Sequence, residues 1–376
     1  VMRAVREEMG VSGGVDGLPW LFTGTFTVTL ALVPLFGIAA ARLGRRALAT
    51  AVYGAFAVSL VLLWLGFALV GDHELAIVWL SRVAFIWLSV INMIAVSTFW
   101  GVAVDLFGGE RGKRTFGTLA AGGTAGALAG PSVALVLAER IGTHQLLLVS
   151  AAAWAMAMVC TRGLERASPP GARGEALGGS ALAGLRDVAK NQTLREIGIY
   201  VLLYTATSTV IYIVQATIAK AAYESRDERT AFFASVDLAV NVLAIVVQLG
   251  GTRRMLERLR MATVLAILPV ATIALLIVLG AWPTLATLAI VQTLRRALEH
   301  AVAKPGRELL YDRVDREAKL KGQNAVDTVV YRAGDAVSAW IVGGLQLIGI
   351  ASTGLLFAFV PIAAVWAWYS RKIANR

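Results

Sequence analysis

The chain has 376 residues, of which 57% are hydrophobic and 16% are charged, and its formal net charge is +11. A soluble domain has roughly 25% charged residues, whereas apolar runs near the ~20 residues of a membrane-crossing helix recur along this whole chain. The composition therefore predicts an all-α polytopic membrane protein, and the lack of alternating polar and apolar residues excludes an outer-membrane barrel. The single cysteine, Cys160, excludes an internal disulfide, and the three histidines lack metal-ligand spacing, so no metal or cofactor is expected.

Eleven apolar spans follow one another in the sequence, and several contain the Gly and Pro that membrane helices tolerate. Their predicted ranges are 18–41, 48–70, 76–104, 115–138, 144–163, 197–219, 229–250, 261–281, 283–303, 324–348 and 350–370.

The basic residues are distributed unevenly between the connecting loops. Most of the 35 Lys and Arg lie in alternate connections, which are 42–47, 105–114, 164–196, 251–260, 304–323 and the C-terminal tail. Because positive charge resists translocation, these loops and the tail are predicted to be cytoplasmic, in a bacterial inner membrane. The same distribution explains the net charge without nucleic-acid binding, so the lipid bilayer is expected as a partner and nucleic acid is not.

The loop 164–196 contains a Pro/Gly/Ser-rich stretch that divides five spans from six. The segment 1–17 resembles the outer end of a helix, and 214–233 is its counterpart in the second half. Aligning the two predicts that a first span is missing, so that the full arrangement is two parallel repeats of six helices. Counting this missing span as span one, 18–41 is span two and 283–303 is span ten. The predicted domains are an N-terminal bundle (1–163), a cytoplasmic linker (164–196) and a C-terminal bundle (197–376).

The first basic loop reads "GIAAARLGRR", residues 37–46. It resembles the cytoplasmic loop signature of the major facilitator superfamily, with Ala41 in place of the acidic residue. Arginines near helix ends can bond the terminal carbonyl groups of neighbouring helices. The resemblance implies a gating role for Arg42, Arg45 and Arg46.

Two further segments carry a more specific resemblance. In 97–131, a Phe-Trp-Gly is followed by a loop with Glu110, Lys113 and Arg114 and then by a Gly-rich helix. The segment 304–327 reads "KPGRELLYDRVDREAKLKGQNAVD". Both are similar to segments of the ATP/ADP translocase (nucleotide transporter) family, a branch of that superfamily.

This resemblance implies charged gates at the cytoplasmic mouth. Besides the three arginines of the first basic loop, the predicted gate residues are Glu110, Lys113, Arg114, Glu308, Asp315, Lys319, Lys321 and Asp335. The acids of 311–327 are expected to form salt bridges with loops of the other half, so that neutralising Asp315 and Glu317 alters exchange rate more than affinity.

Charged and polar side chains within apolar spans are the candidates for substrate binding, because burying them in a bilayer is costly. At the end of span ten, Arg296, His300, Lys304 and Arg307 recur at helical spacing and form a basic stripe. If the stripe faces a cavity, it suits phosphate oxygens. The alternative is that these side chains extend to the lipid headgroups. The full predicted set is Arg82, Asn92, Gln215, Asp237, Asn241, Arg296, His300, Lys304, Arg307 and Arg332.

Several of these candidates have a structural alternative. Arg332 and Asp335 are one helical turn apart and can pair with each other. Asp237 can couple protons or bond a neighbouring helix. Asn92 and Gln215 can read a nucleobase edge or hold helices together.

The leading functional hypothesis is a monomeric secondary carrier that exchanges ATP and ADP by alternating access around a basic central cavity. The carriers it resembles have a glutamate on span four and another at the end of span seven, whereas this chain has no acid between 75 and 104 and has Gln215 at the second place. The alternatives are a carrier of another organic anion, a proton-coupled exporter, or a non-transporting module that binds a partner through 304–323. An enzyme is not expected, because the sequence contains no P-loop motif.

Overall fold

The computed structural model describes residues 1–43, 45–107, 112–167 and 181–374, and every regular element in these ranges is a helix. Helices dominate because the hydrocarbon interior offers backbone groups no other hydrogen-bond partner. In chain order they are α1 (Met2–Ser12), α2 (Leu18–Leu43), α3 (Arg45–Val70), α4 (Glu74–Phe107), α5 (Gly112–Ile141), α6 (Gln145–Ala167), α7 (Ala181–Lys190), α8 (Gln192–Ala222), α9 (Arg226–Val247), α10 (Arg253–Arg258), α11 (Met261–Ala281), α12 (Leu285–Leu298), α13 (Lys304–Tyr311), α14 (Arg316–Ala325), α15 (Tyr331–Leu347), α16 (Ser352–Ala358) and α17 (Val360–Ala374).

Short 3₁₀ and π turns join some of these helices. A 3₁₀ turn, Val15–Gly17, precedes α2. Wide π turns occupy Gln248–Thr252, Glu299–Ala303 and Val326–Val330. A π turn adds a residue to the helical repeat and is frequent at functional sites.

Within the described ranges, nine helical stretches are long and apolar enough to cross a membrane. They are Val15–Phe36, Ala47–Val70, Glu74–Trp100, Thr118–Ile141, Gln145–Gly163, Gln192–Ala222, Arg226–Arg258, Met261–Ala281 and Ser352–Ala374. The other two of the eleven predicted spans do not meet this criterion. The predicted spans 283–303 and 324–348 are helical, but charged residues in both make them less apolar than the other nine.

The first of two compact units comprises Val1–Gly13, Val28–Gly178 and Ser225–Ser235. In it, α3 packs along α6 and α4, and α1 lies against α4. The indole of Trp154 on α6 contacts the rings of Tyr53 and Phe56 on α3, at centroid distances of 5.4 and 5.6 Å. Its N–H also donates to the sulfur of Met2 at 3.0 Å, which ties α1 to α6.

The second unit comprises Gly14–Thr27, Gly179–Glu224 and Val236–Arg376, so α2 contributes to both units. Its central helix is α8, against which α15, α17, α7 and α12 pack. The fully buried ring of Trp366 on α17 lies 5.3 Å from the Tyr200 ring and 5.8 Å from the Tyr204 ring of α8. The predicted division at 164–196 stays a prediction.

The amphipathic helix α14 also lies close to α8. A Cβ atom added to Gly322 would be 2.4 Å from Cδ1 of the fully buried Leu194. This close approach gives a physical reason for the glycine in the Lys-x-Lys-Gly sequence of the 304–327 segment.

Candidate functional site

A line of polar side chains runs along one face of α8, towards α12. Asn191 caps the start of α8 by accepting a hydrogen bond from the Leu194 amide at 3.2 Å, which sets where the helix begins. Tyr204, Ser208 and Gln215 follow at intervals of four and seven residues, so they share a face. We call these three residues, together with Gln292 and Arg295 of α12, the α8–α12 seam.

Arg295 is the charged centre of this seam. Its guanidinium donates to the Ser208 hydroxyl and lies 5.1 Å from the centroid of the Tyr204 ring. The residue is 3% exposed, and its Nε atom has no hydrogen-bond partner in the described part of the chain. A buried guanidinium held by a hydroxyl and an aromatic face, without a carboxylate ion pair among the described residues, is available to an anionic group.

Gln215 and Gln292 form the neutral part of the seam. The Gln292 amide donates to the Gln215 side-chain oxygen, and both residues are buried. This bond agrees with the predicted role of Gln215 in holding helices together. Each amide can make further hydrogen bonds, so the pair can also bind a polar ring edge.

The neighbouring Arg296 is in a different position. Its Nη2 donates to Asp237 of α9 at 2.6 Å, and both side chains are largely buried. Asp237 was predicted to couple protons or to bond another helix, and the structure places it in an ion pair. Removing one partner of a buried pair is expensive because the other charge is left uncompensated. Asn241, one turn further along α9, is half-buried.

A second ion pair lies within α15, on the side that packs against α8. Arg332 donates to Asp335 at 3.4 Å, as the sequence spacing predicts, and Asp335 also accepts from Thr209 of α8 at 3.3 Å. Beside this pair, the rings of Tyr204 and Tyr331 lie 6.0 Å apart.

The stripe predicted on span ten is divided by the π turn Glu299–Ala303. Arg307 is buried and donates to Asp327 at 3.3 Å, whereas Lys304 is exposed. His300 is half-buried, and its backbone carbonyl accepts from Gln248. The added residue of the π turn rotates the helix faces, so regular spacing in sequence does not place the four basic residues in one environment.

In the first unit, the predicted substrate residues are Arg82 and Asn92. Arg82 donates to the Gly13 carbonyl at 2.8 Å and lies 4.7 Å from the Trp79 ring. Asn92 is exposed. The hydrogen bond joins Arg82 to the residue that follows α1. A role of Arg82 in substrate binding stays a prediction.

The predicted gate residues divide into two groups. Glu110 and the side chains of Arg45, Arg46, Lys113, Arg114 and Glu317 lie outside the described residues. In the other group, Arg42 and Asp315 are exposed, Glu308 accepts from Gln323 at 2.8 Å, and Lys319 bonds Asp312 at 2.6 Å. Lys321 is half-buried. The Glu308 and Lys319 contacts stay inside their own segment, and the predicted gating by salt bridges between halves stays a prediction.

The sequence of the first 295 residues matches the profile of the Major Facilitator Superfamily. The chain belongs to that superfamily. Like the other members of this group it is a multi-pass membrane transporter with an all-α helical bundle, and it is not an enzyme. No curated protein matches the chain.

Solved structures agree with this fold. A crystal structure of the nucleoside transporter NupG is similar with a TM-score of 0.64 and 13% identity, over 100% of this chain and 98% of that one. A mutant of the same transporter is similar with a TM-score of 0.61 and 15% identity, over 99% and 100% of the two chains.

Sequence reasoning about this superfamily member missed three residues of the second unit: Gln292, Arg295 and Glu299. The predicted substrate set contains Arg296 but not its neighbour Arg295. The spacing of Gln292, Arg295 and Glu299 at three and four residues was a usable signal, since it places them on one face of a helix.

A separate polar cluster in the first unit surrounds the start of α9. Asp227 accepts from the backbone and hydroxyl of Thr143, each at 2.6 Å. Glu8 of α1 accepts from Arg229 through two bonds, at 2.7 and 2.9 Å. The His144 ring stacks on Phe67 at 4.3 Å.

This cluster yields a pH prediction for His144, in the short turn between α5 and α6. Burial and the nearby Arg226 guanidinium lower the pKa of His144. Its folded pKa is therefore below the unfolded value of about 6.5, so as pH falls through that value the unfolded chain binds the proton first and stability is lost. We expect the Tm of the wild type to fall more steeply on acidification than that of His144→Gln, measured by differential scanning fluorimetry. Parallel curves would contradict this.

Proposed function

We propose that this transporter carries a nucleoside or a nucleoside phosphate and binds it at the α8–α12 seam. The observation that carries the proposal is Arg295, a buried guanidinium against an aromatic ring, in the same seam as a pair of buried amides. Arginine binds phosphate oxygens in a forked geometry. The amides of Gln215 and Gln292 offer the donors and acceptors that a nucleobase edge requires.

The charges around the seam determine how much negative charge on a substrate the site can compensate. Arg296, Arg307 and Arg332 each have a carboxylate partner at 2.6 to 3.4 Å. Their positive charge is therefore already compensated, and Arg295 remains for the substrate. A solute with little charge, such as a nucleoside or a nucleoside monophosphate, matches this balance better than a highly charged triphosphate does.

The likeness to NupG supports the same substrate class, since that protein is described as a nucleoside transporter. The likeness is one of fold, so the residues above carry the argument. Transport is proposed to proceed by alternating access, in which the seam is exposed first to one side of the membrane and then to the other. The cytoplasmic side of the basic loops, the bacterial inner membrane and a monomeric state stay predictions.

The second candidate is ATP/ADP exchange. The 97–131 and 304–327 segments favour it, because both are similar to segments of the ATP/ADP translocase family. In this case the paired arginines would have to exchange their carboxylates for phosphate groups during binding.

Counterflow in liposomes distinguishes the candidates. Full-length protein is reconstituted with labelled AMP inside, and uridine, AMP, ADP, ATP or inorganic phosphate is added outside. We expect uridine and AMP to release label fastest. Release driven best by ADP and ATP, from vesicles preloaded with labelled ADP, would favour the second candidate, and failure of all five solutes would contradict a nucleobase substrate.

A further inference from the structure

The second unit contains a buried carboxylate that the binding seam does not use. Glu299 is the first residue of the π turn after α12, and it is 8% exposed. Within the described chain its carboxylate makes no hydrogen bond and no ion pair. An ionised carboxylate in such a place is costly, since burial removes water without supplying a partner. Burial without a counter-ion favours the protonated acid.

The charged and titratable groups that act on Glu299 come from five elements. They are Arg295 on α12, Lys304 and Arg307 on α13, Asp327 in the π turn Val326–Val330, Tyr200 on α8 and Tyr331 on α15. Arg307 is bonded to Asp327, and Lys304 points to an exposed position. Arg295 is therefore the nearest cation in sequence that has no carboxylate partner.

Arg295 and Glu299 are four residues apart, which is the spacing at which two side chains meet on a helix. In the structure they are not bonded, because Arg295 turns to Ser208 and Tyr204 instead. Two arrangements are thus open to this guanidinium: it faces the α8–α12 seam, as observed, or it rotates to Glu299.

We propose that Glu299 is a proton-binding site that controls whether Arg295 can hold an anion. With a proton from water on one Glu299 carboxyl oxygen, Arg295 stays in the seam and can bind a phosphate or another anionic group. When that proton returns to water, the carboxylate draws Arg295 into an ion pair and the anion site is lost. Proton and anion then bind together, which makes the carrier a symporter for anionic solutes.

This inference extends the proposed function, and it depends on the substrate class only for the identity of the anion. Asp237, the residue that the sequence suggested for proton coupling, already has Arg296 as its counter-ion at 2.6 Å. By thermodynamic linkage, a proton that favours anion binding must itself be favoured by the anion.

The test follows the carboxyl group directly and needs no substrate. pH-difference infrared spectra are recorded on the full-length protein in lipid, for wild type, Glu299→Gln and the control Glu257→Gln, whose side chain is exposed and paired with Arg253. We expect a protonated-carboxyl C=O band that disappears at alkaline pH in wild type and in Glu257→Gln, and is absent from Glu299→Gln. The same difference spectrum in all three proteins would overturn the proposal.

Two further variants keep the test decisive. Glu299→Asp retains a titrating acid in a changed environment, so its band is expected at a shifted frequency; an unshifted band overturns the proposal even if Glu299→Gln fails to fold. Arg295→Gln removes the cation that stabilises the ionised form, so the band is expected to titrate at a higher pH. An unchanged midpoint would show that Glu299 does not act on Arg295.

AMP binding supplies the functional readout. Above the midpoint of the Glu299 titration, the apparent affinity of wild type for AMP is expected to fall about tenfold per pH unit, as one linked proton requires. The affinity of Glu299→Gln is expected to be independent of pH in that range. If AMP binds at no pH, the proposed substrate class fails while the infrared result still decides the proton site. If AMP binds equally at all pH values in wild type, the coupling fails while the substrate class stands.

Discussion

Replacing Arg295 with glutamine is expected to weaken AMP binding about 100-fold, measured by counterflow in liposomes. Arg295 is 3% exposed, and its guanidinium faces Ser208 and Tyr204 without a carboxylate ion pair among the described residues. Hydrogen bonds to charged groups contribute up to about 3 kcal/mol, and each 1.4 kcal/mol is about tenfold in affinity. Glutamine keeps a donor for Ser208 and removes the charge.

A comparison of two solutes separates the loss of a phosphate contact from general damage. Uridine transport should fall less than AMP transport, because uridine has no phosphate. Arg295→Lys should be intermediate, since lysine keeps the charge but lacks the planar fork. The control is Arg253→Gln, whose side chain is 89% exposed in an ion pair with Glu257; it should leave both rates unchanged. Equal losses for uridine and AMP in Arg295→Gln would contradict the phosphate contact.

The helical fold was predictable from the sequence because its cause is local. Runs of apolar residues of membrane length form helices wherever they occur, and nine such stretches match predicted spans. The two predicted spans that fail the same criterion contain several charged groups of the second unit. Their low apolarity results from Arg295, Arg296 and Glu299 in one and from Arg332 and Asp335 in the other.

The partners of buried charges were predictable only within a helix. Arg332 and Asp335 are three residues apart, and the sequence indicated their ion pair. Arg296 and Asp237 are on different helices, so their pairing depends on how α9 and α12 face each other. Successive residues of a helix point about 100° apart. Sequence alone therefore could not decide whether Arg295 or Arg296 faces α8.

Replacing Gly334 with alanine is expected to lower the free energy of unfolding by about 2–3 kcal/mol, the upper part of the range for overpacked cores. α15 approaches α8 so closely there that an added Cβ would lie 2.2 Å from Oγ1 of Thr205 and 3.0 Å from Cδ2 of Leu202. Thr205 is fully buried, and its hydroxyl donates to the Leu202 carbonyl of its own helix. The new methyl group therefore has to push α15 away from α8, beside the Arg332–Asp335 pair. Thermal unfolding in detergent measures the loss.

A second substitution identifies the clash as the cause. Thr205→Ala removes Oγ1 and the threonine methyl group, and the hydrogen bond that it loses is within α8, so the double variant should recover much of the stability that Gly334→Ala loses. Interaction energies between touching residues are about 0.5–3 kcal/mol. The matched control is Gly344→Ala on the same helix, where an added Cβ has no neighbour within 4 Å. If Gly344→Ala destabilises as much as Gly334→Ala, or if Thr205→Ala gives no recovery, close packing of α15 on α8 is not what selects glycine at position 334.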